Sequence, residues 1–167
     1  FQIINNGKAK GVGTDFLIAD DVVMTNCHVA DILVDPRVEA PTVQFDFIEG
    51  ADGVVQTGPQ FELTGGKASW LIGFSPVNEL DYALIRLPQG TGRTPVLAPR
   101  PFVFTNGDVY FIVQHPAGEP MKIGGGTLVG TVSAPPRVNY TTNTLGGSSG
   151  SPVLTTAWQP VALHRAG

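Results

Sequence analysis

The chain has 167 residues, and its 10 basic and 14 acidic side chains give a formal net charge of −4. This charge is small and has the wrong sign for binding a phosphate backbone, and no run of Lys or Arg is present, so nucleic acid is excluded as a partner. No segment approaches the roughly 18 consecutive apolar residues of a membrane span, so we expect no membrane partner either.

The composition is typical of many short strands joined by tight turns. Val, Ile and Thr are abundant, and 21 glycines and 14 prolines supply turn positions. Apolar residues make up 42% of the chain and charged residues 14%, which is ample for a packed core. The single cysteine, Cys27, cannot form an intrachain disulfide. We therefore expect core burial to stabilise the fold and the location to be cytoplasmic, with a secreted bacterial protein as the alternative.

Apolar runs bounded by Gly, Pro, Asn or Asp predict seven strands in the first half of the chain. They are Gln2–Ile4, Gly13–Ile18, Val22–Thr25, Val43–Ile48, Phe61–Leu63, Ala68–Ile72 and Tyr82–Leu87. A short helix is predicted over Cys27–Leu33. The segment Pro88–Pro101 then contains four prolines and two glycines with almost no periodicity, which indicates a connection between two halves.

A second set of apolar runs predicts six more strands. They are Val109–Gln114, Met121–Ile123, Thr127–Ser133, Arg137–Thr141, Pro152–Thr155 and Val161–His164. No stretch sustains a helical period over three turns. We therefore predict an all-β fold of two packed antiparallel barrels, with the N-terminal barrel over residues 1–88, a linker over 89–100 and the C-terminal barrel over 101–167.

A loop rich in Gly and Ser, residues 146–152, contains the first candidate catalytic residue, Ser149. Glycines around this serine leave its backbone open to a carbonyl substrate and permit positive φ angles. Such a turn can also direct two backbone N–H groups at one point, as stabilisation of an oxyanion requires. The alternative interpretation is an ordinary Gly/Ser turn, because both residue types are common in turns.

A serine nucleophile needs a base, and the chain offers one together with a carboxylate. His28 lies where a predicted strand gives way to the short helix, and Asp81 directly precedes the apolar strand 82–87. Each residue alone has a structural alternative, His28 as a helix-start residue and Asp81 as a turn residue. Together with Ser149 they predict nucleophilic catalysis.

Four motifs, in this order and at this spacing, resemble the trypsin-like serine peptidases of the chymotrypsin fold. They are Gly13–Ile18, the Thr-Asn-Cys-His-Val run, Asp-Tyr-Ala-Leu-Ile-Arg-Leu and Gly-Gly-Ser-Ser-Gly-Ser-Pro-Val. The similarity covers most of the chain and is strongest to the disulfide-free bacterial branch that includes glutamyl endopeptidases. It implies a serine endopeptidase that acts on a protein or peptide substrate, with its site in the cleft between the barrels.

The resemblance also implies a role for each candidate residue. Ser149 would be the nucleophile, His28 the general base and Asp81 the carboxylate that orients the imidazole. The backbone amides of Gly147 and Ser149 would form the oxyanion hole, and hydrolysis would pass through an acyl-enzyme without a metal or other cofactor. Ser148 stands where the digestive enzymes have an aspartate, so activation by an N-terminal ammonium buried against that residue is not expected.

Two further residues resemble the primary pocket of glutamyl endopeptidases. Thr144 and His164 together could bind a Glu or Asp side chain, which predicts a preference for acidic residues. The alternative is that His164 packs beneath the pocket with no selective role. His115 is interpreted as part of a structural turn, and Cys27 as a small buried hydrophobic residue.

Two other functions stay open. One is a catalytically silent protease-fold module whose groove binds a peptide or a neighbouring domain. The other is an esterase, although Pro152–Thr155 predicts a strand after the serine, where an α/β-hydrolase needs a helix. Members of the chymotrypsin fold usually continue past the Leu-His-x-x-Gly stretch with a strand and a helix, so we expect flanking domains or another chain to complete the second barrel.

Overall fold

Strands dominate the computed structural model, which describes residues 1–5, 8–95, 97 and 102–165. The strands are β1 (Gln2–Asn5), β2 (Lys8–Gly11), β3 (Phe16–Ala19), β4 (Val22–Thr25), β5 (Thr42–Gln44), β6 (Ile48–Glu49), β7 (Val55–Gln56), β8 (Gln60–Glu62), β9 (Leu71–Ser75), β10 (Tyr82–Arg86), β11 (Val109–Gln114), β12 (Lys122–Ser133), β13 (Pro136–Tyr140), β14 (Pro152–Leu154) and β15 (Pro160–Leu163). Helical segments are α1 (Cys27–Leu33), α2 (Lys67–Trp70) and a 3₁₀ turn (Pro116–Gly118). Within the described ranges, no helix has the length and apolar character needed to cross a membrane.

The N-terminal strands form two antiparallel sheets around one core. Their strand orders are β2-β1-β5-β8 and β3-β4-β10-β9, and β6 pairs with β7 in a separate ribbon. Val43 on the first sheet and Val23 and Ile85 on the second are completely buried in the same apolar cluster. Helix α1 adds Val29 and Leu33 to this cluster, so burial of apolar surface holds the start of α1 against β10.

The C-terminal strands form one five-stranded antiparallel sheet in the order β13-β12-β11-β14-β15. Its own apolar core contains Tyr110, Ile112, Leu128 and Val153. The predicted all-β fold is confirmed. The linker boundaries stay a prediction, and residues 96 and 98–101 lie outside the described part of the chain.

The strand predicted over Ala68–Ile72 is wrong in its first half. Residues 67–70 instead form the single turn of α2, and β9 begins only at Leu71. Gly66 opens this turn at a φ of +78°, a conformation that a residue with a Cβ rarely adopts. The turn places Trp70 in the core with 3% of its surface exposed, and burial of this large side chain favours the helical turn over a strand.

The two strands predicted over Met121–Ile123 and Thr127–Ser133 are one continuous strand, β12. The intervening glycines do not break the strand, because they make room for the segment around Thr142. A Cβ on Gly126 would clash with Oγ1 of Thr142, and one on Gly124 would lie 2.8 Å from Cγ2 of the same threonine. These glycines therefore permit close approach of another segment.

Candidate active site

His28 and Asp81 come together because β4 and β10 are paired neighbours. His28 is the second residue of α1, which follows β4, and Asp81 directly precedes β10. Nδ1 of His28 lies 2.8 Å from Oδ2 of Asp81, and the backbone N–H of His28 donates to Oδ1 at 3.1 Å. Since the carboxylate is the acceptor, the imidazole carries its proton on Nδ1 and leaves Nε2 as a hydrogen-bond acceptor.

The backbone of Asp81 is held in a conformation that is uncommon for a residue with a side chain. Its φ is +55°, in the left-handed region that costs about 1–2 kcal/mol for an L-residue. Its carbonyl accepts hydrogen bonds from Nδ2 of Asn26 at 2.9 Å and from the N–H of Cys27 at 3.3 Å. Asn26 is itself completely buried. This amide therefore holds the backbone of Asp81, although nothing in the sequence distinguished Asn26 from an ordinary helix-start residue.

The loop that carries Ser149 depends on two glycines with positive φ. Gly147 has a φ of +96° and Gly150 a φ of +90°. A Cβ on Gly147 would lie 2.7 Å from the carbonyl oxygen of His115, and one on Gly150 would clash with the carbonyl oxygen of Thr14. Both positions therefore require glycine for two reasons, the backbone angle and the close approach of another segment.

Thr14 ties the Ser149 loop to the N-terminal half of the chain. Its N–H donates to the carbonyl of Ser149 at 2.7 Å. Its hydroxyl donates to the carbonyl of Gly147 at 2.9 Å and accepts from the N–H of His115 at 3.1 Å. The carbonyl of Thr14 in turn accepts the hydroxyl of Thr25 at 2.7 Å. These bonds fix the serine loop relative to β4, which leads directly into α1 and His28.

Arg165 connects the serine to the histidine–aspartate pair. The hydroxyl of Ser149 donates to the backbone carbonyl of Arg165 at 3.0 Å, and within the described residues it makes no hydrogen bond to His28. Nε of Arg165 donates to Oδ2 of Asp81 at 2.9 Å. His28 is thus paired directly with Asp81, and Ser149 is linked to that pair through Arg165. The sequence pattern did not single out Arg165, whose only signal is its position after His164.

The backbone amides of Gly147 and Ser149 lie on either side of the buried Ser148. Neither N–H donates to an acceptor in the part of the chain that the structure describes. The neighbouring Ser148 is completely buried, and its hydroxyl accepts the N–H of Leu145 at 3.3 Å. Ser148 therefore supports the turn between the two adjacent amides.

A cavity of about 640 Å³ lies against β13 and β15, beside the Arg165 bridge. Thr144 and His164, the two residues assigned to the primary pocket, both line it, together with Arg137 and Arg165. No Asp or Glu is found among the described residues of its wall. The charged side chains of this wall are therefore two arginines, of which Arg165 is paired with Asp81.

His164 is buried and takes part in a hydrogen bond within the cavity wall. Its Nδ1 is hydrogen-bonded to the hydroxyl of Tyr140 at 2.5 Å. Burial, and to a lesser degree the nearby charge of His28, lower the pKa of His164 below its ordinary value. Burial also raises the pKa of Tyr140, so its hydroxyl stays protonated. These surroundings therefore disfavour the protonated form of the His164 imidazole.

The remaining histidine and the cysteine lie in structural surroundings. His115 stacks against Phe47 with ring centroids 5.9 Å apart, and its Nδ1 is hydrogen-bonded to the carbonyl of Glu119 at 3.1 Å. Cys27 is buried, and burial raises the pKa of its thiol above the ordinary value. Both surroundings agree with the structural roles that the sequence indicated. Within the described residues, no cluster of three or more His, Cys, Asp or Glu could hold a metal ion.

Comparison with known proteins gives a family and a fold. A family model described as a trypsin-like peptidase domain matches residues 13–163. The uncharacterized protein y4fB of Sinorhizobium fredii is 32% identical over 179 residues, and the match covers 96% of this chain and 26% of y4fB. The chain thus spans about a quarter of that relative's length.

Two solved structures resemble the chain at low sequence identity. Deg5 is 18% identical with a TM-score of 0.69, and the match covers 99% of this chain and 77% of Deg5. The active form of the Rv3671c protease from M. tuberculosis is 18% identical with a TM-score of 0.66, and the match covers 99% of this chain and 68% of that protein. At these identities the two structures establish the shared fold.

Proposed function

Because the chain belongs to the family of trypsin-like peptidase domains, we propose that it is a serine endopeptidase in which Ser149 attacks the carbonyl carbon of a peptide bond. The observation that carries this proposal is the bond between Nδ1 of His28 and the buried carboxylate of Asp81, 2.8 Å long. This bond sets the tautomer that a general base needs, with Nε2 free to accept a proton.

The proposed reaction proceeds through an acyl-enzyme. The hydroxyl of Ser149 leaves the carbonyl of Arg165 by rotation about χ1, and Nε2 of His28 takes its proton as the Oγ–carbon bond forms. The imidazolium then gives that proton to the leaving amine as the peptide bond breaks. Water repeats the sequence on the ester, returning the proton to Ser149 and releasing the carboxylic acid.

The amides of Gly147 and Ser149 are proposed to stabilise the tetrahedral intermediates. An amide that already donates to a protein acceptor could not bind the oxyanion, and neither of these two does so within the described residues. The positive φ of Gly147 is a feature of the same turn. Two such donors at the developing charge supply a large part of the rate enhancement in acyl transfer.

A preference for acidic side chains is part of the proposal. Thr144 and His164 would give hydrogen bonds to a substrate carboxylate, and Arg137 provides positive charge in the same cavity wall. The absence of Asp and Glu from the described wall residues removes the repulsion that a substrate carboxylate would otherwise meet. We therefore propose that, within the family, the chain is related to the glutamyl endopeptidases.

Matched peptides test activity and preference together. Two peptides that differ only by Glu or Gln at one position keep the side-chain shape and change its charge. We expect cleavage after that position, with kcat/KM at least about tenfold higher for Glu, and no cleavage by Ser149→Ala. Equal cleavage of the two peptides would contradict the acidic preference alone. Cleavage that persists in Ser149→Ala would contradict the nucleophile.

A second function, the catalytically silent binding module, is favoured by one observation. The hydroxyl of Ser149 is bonded to the carbonyl of Arg165, which is not a base. In such a module the same cavity would bind an acidic peptide without cleaving it. Binding of the Glu peptide to the wild-type chain, measured by calorimetry, with the peptide recovered intact after prolonged incubation, would support this function over the peptidase.

A further inference from the structure

Arg165 contacts two of the proposed catalytic residues with different groups. Its side-chain Nε donates to Oδ2 of Asp81 at 2.9 Å, and its backbone carbonyl accepts the hydroxyl of Ser149 at 3.0 Å. Oδ2 is the same oxygen that lies 2.8 Å from Nδ1 of His28. A single residue, Arg165, therefore bonds to both the carboxylate of Asp81 and the hydroxyl of Ser149.

The carboxylate of Asp81 needs a compensating charge because its side chain is completely buried. Its ion-pair partners within the described residues are His28 and Arg165. A neutral imidazole supplies a hydrogen bond but no charge, whereas a guanidinium stays charged at every pH at which the protein is folded. Arg165 is therefore the permanent cation beside Asp81, and a buried carboxylate without such a partner is strongly destabilised.

The two donors reach Oδ2 from opposite halves of the chain. His28 belongs to α1 in the N-terminal half, and Arg165 follows β15 in the C-terminal sheet. A carboxylate oxygen that accepts from both is fixed in position as well as in charge. Loss of the guanidinium would leave Oδ2 held by the imidazole alone, and the orientation of that ring would become less defined.

We propose that Arg165 is a positioning residue of this site, which holds Oδ2 of Asp81 against Nδ1 of His28 and keeps the hydroxyl of Ser149 on its own carbonyl until a substrate binds. The inference rests on the proposed serine peptidase function for its kinetic consequence. The contact between Arg165 and Asp81 is independent of activity. The side-chain bond can be removed by substitution, whereas the carbonyl is a backbone group that substitution leaves in place.

Chemical rescue separates positioning from general structural support. We expect Arg165→Ala to lower kcat by about 10- to 100-fold, the effect of one charge-assisted hydrogen bond. Guanidinium chloride at millimolar concentration should restore part of this loss by occupying the vacated site, while urea, which has the same shape without the charge, should not. Arg86→Ala is the matched control, because Arg86 forms an exposed pair with Asp21. We expect the kcat of this variant to equal that of the wild type.

Unfolding in urea tests the contact without any need for activity. Single and double variants of Arg165→Ala and Asp81→Asn form one cycle, and Arg86→Ala with Asp21→Asn forms the control cycle. We expect Arg165→Ala to lower the urea midpoint clearly in the wild-type background and much less beside Asp81→Asn. The exposed control pair should give nearly additive shifts. If Arg165→Ala does not fold, Arg165→Lys replaces it, since it keeps the charge and loses the planar donor.

The two experiments have separable outcomes. A wild-type chain that cleaves no peptide but shows coupling in urea would overturn the peptidase and leave the Arg165–Asp81 contact standing. Additive shifts in urea, together with a kcat for Arg165→Ala within twofold of the wild type, would overturn the positioning role while leaving the peptidase intact. Equal rescue by guanidinium and urea would overturn the charge-based part of the proposal.

Discussion

Replacement of Thr14 by valine tests the link between the two halves of the chain. Valine has nearly the same shape as threonine, so the substitution removes a hydroxyl without opening a cavity. That hydroxyl donates to the carbonyl of Gly147 and accepts from the N–H of His115, and Thr14 is 3% exposed. Both partners would lose their bond in a partly buried place, where each orphaned group costs about 1–3 kcal/mol.

We therefore expect Thr14→Val to lower the free energy of unfolding by about 2–3 kcal/mol, measured by urea denaturation. Thr127→Val is the control, because among the described residues the hydroxyl of Thr127 bonds to that of Thr141 alone, in an exposed contact, and it should cost less than about 0.5 kcal/mol. Thr14→Val should also slow labelling of Ser149 by a fluorophosphonate, since Gly147 belongs to the same loop. A variant that is as stable as the control and labels at the wild-type rate would refute the idea that Thr14 fixes this loop.

Three further substitutions have expected outcomes that rest on other contacts. Gly150→Ala should lower the free energy of unfolding in urea by more than about 2 kcal/mol, because it adds a clash to a positive φ. Gly53 has a φ of +76° and open space around it, so Gly53→Ala should cost about 1 kcal/mol. Equal costs would contradict the clash. Because the folded state lowers the pKa of His164, the unfolded chain binds its proton first, and stability should fall as pH drops below about 6.5. Relative to His164→Gln, the wild type should lose stability between pH 7.5 and 5.5, and parallel pH profiles would contradict this sign. Ile85→Val should cost about 1 kcal/mol by calorimetry, as for other buried methylene deletions, and an unchanged melting temperature would contradict its place in the core.

Much of the fold could be predicted because alternation, turn residues and apolar runs are local signals. The helix over Cys27–Leu33 and the strands β11, β13, β14 and β15 follow such signals closely. The errors arose where a distant partner decides the local structure. Trp70 adopts a helical turn because the core lies on one side of it, and Gly126 belongs to a strand because Thr142 approaches it. Neither neighbour can be read from the surrounding sequence.

In the candidate site, too, residues with local sequence signals could be predicted and residues that depend on long-range contacts could not. His28 and Asp81 could be paired in advance because each stands at a strand boundary within a recognisable motif, and their roles stay a prediction. Asn26 and Arg165 could not be found, because their importance comes from contacts with Asp81 that span 55 and 84 residues of the chain. Side chains that support a site through such long-range contacts carry no spacing or periodicity of their own.

Covalent labelling by a fluorophosphonate, read by intact mass and peptide mapping, tests the proposed nucleophile most directly. The wild-type chain should gain one adduct, on Ser149, and His28→Ala should react at least about a thousandfold more slowly because triad members act as a unit. Ser148, completely buried in the same loop, should stay unmodified in both proteins. An adduct on Ser149 that forms at the same rate without the imidazole, or no adduct at all on the folded wild-type chain, would contradict the proposed mechanism.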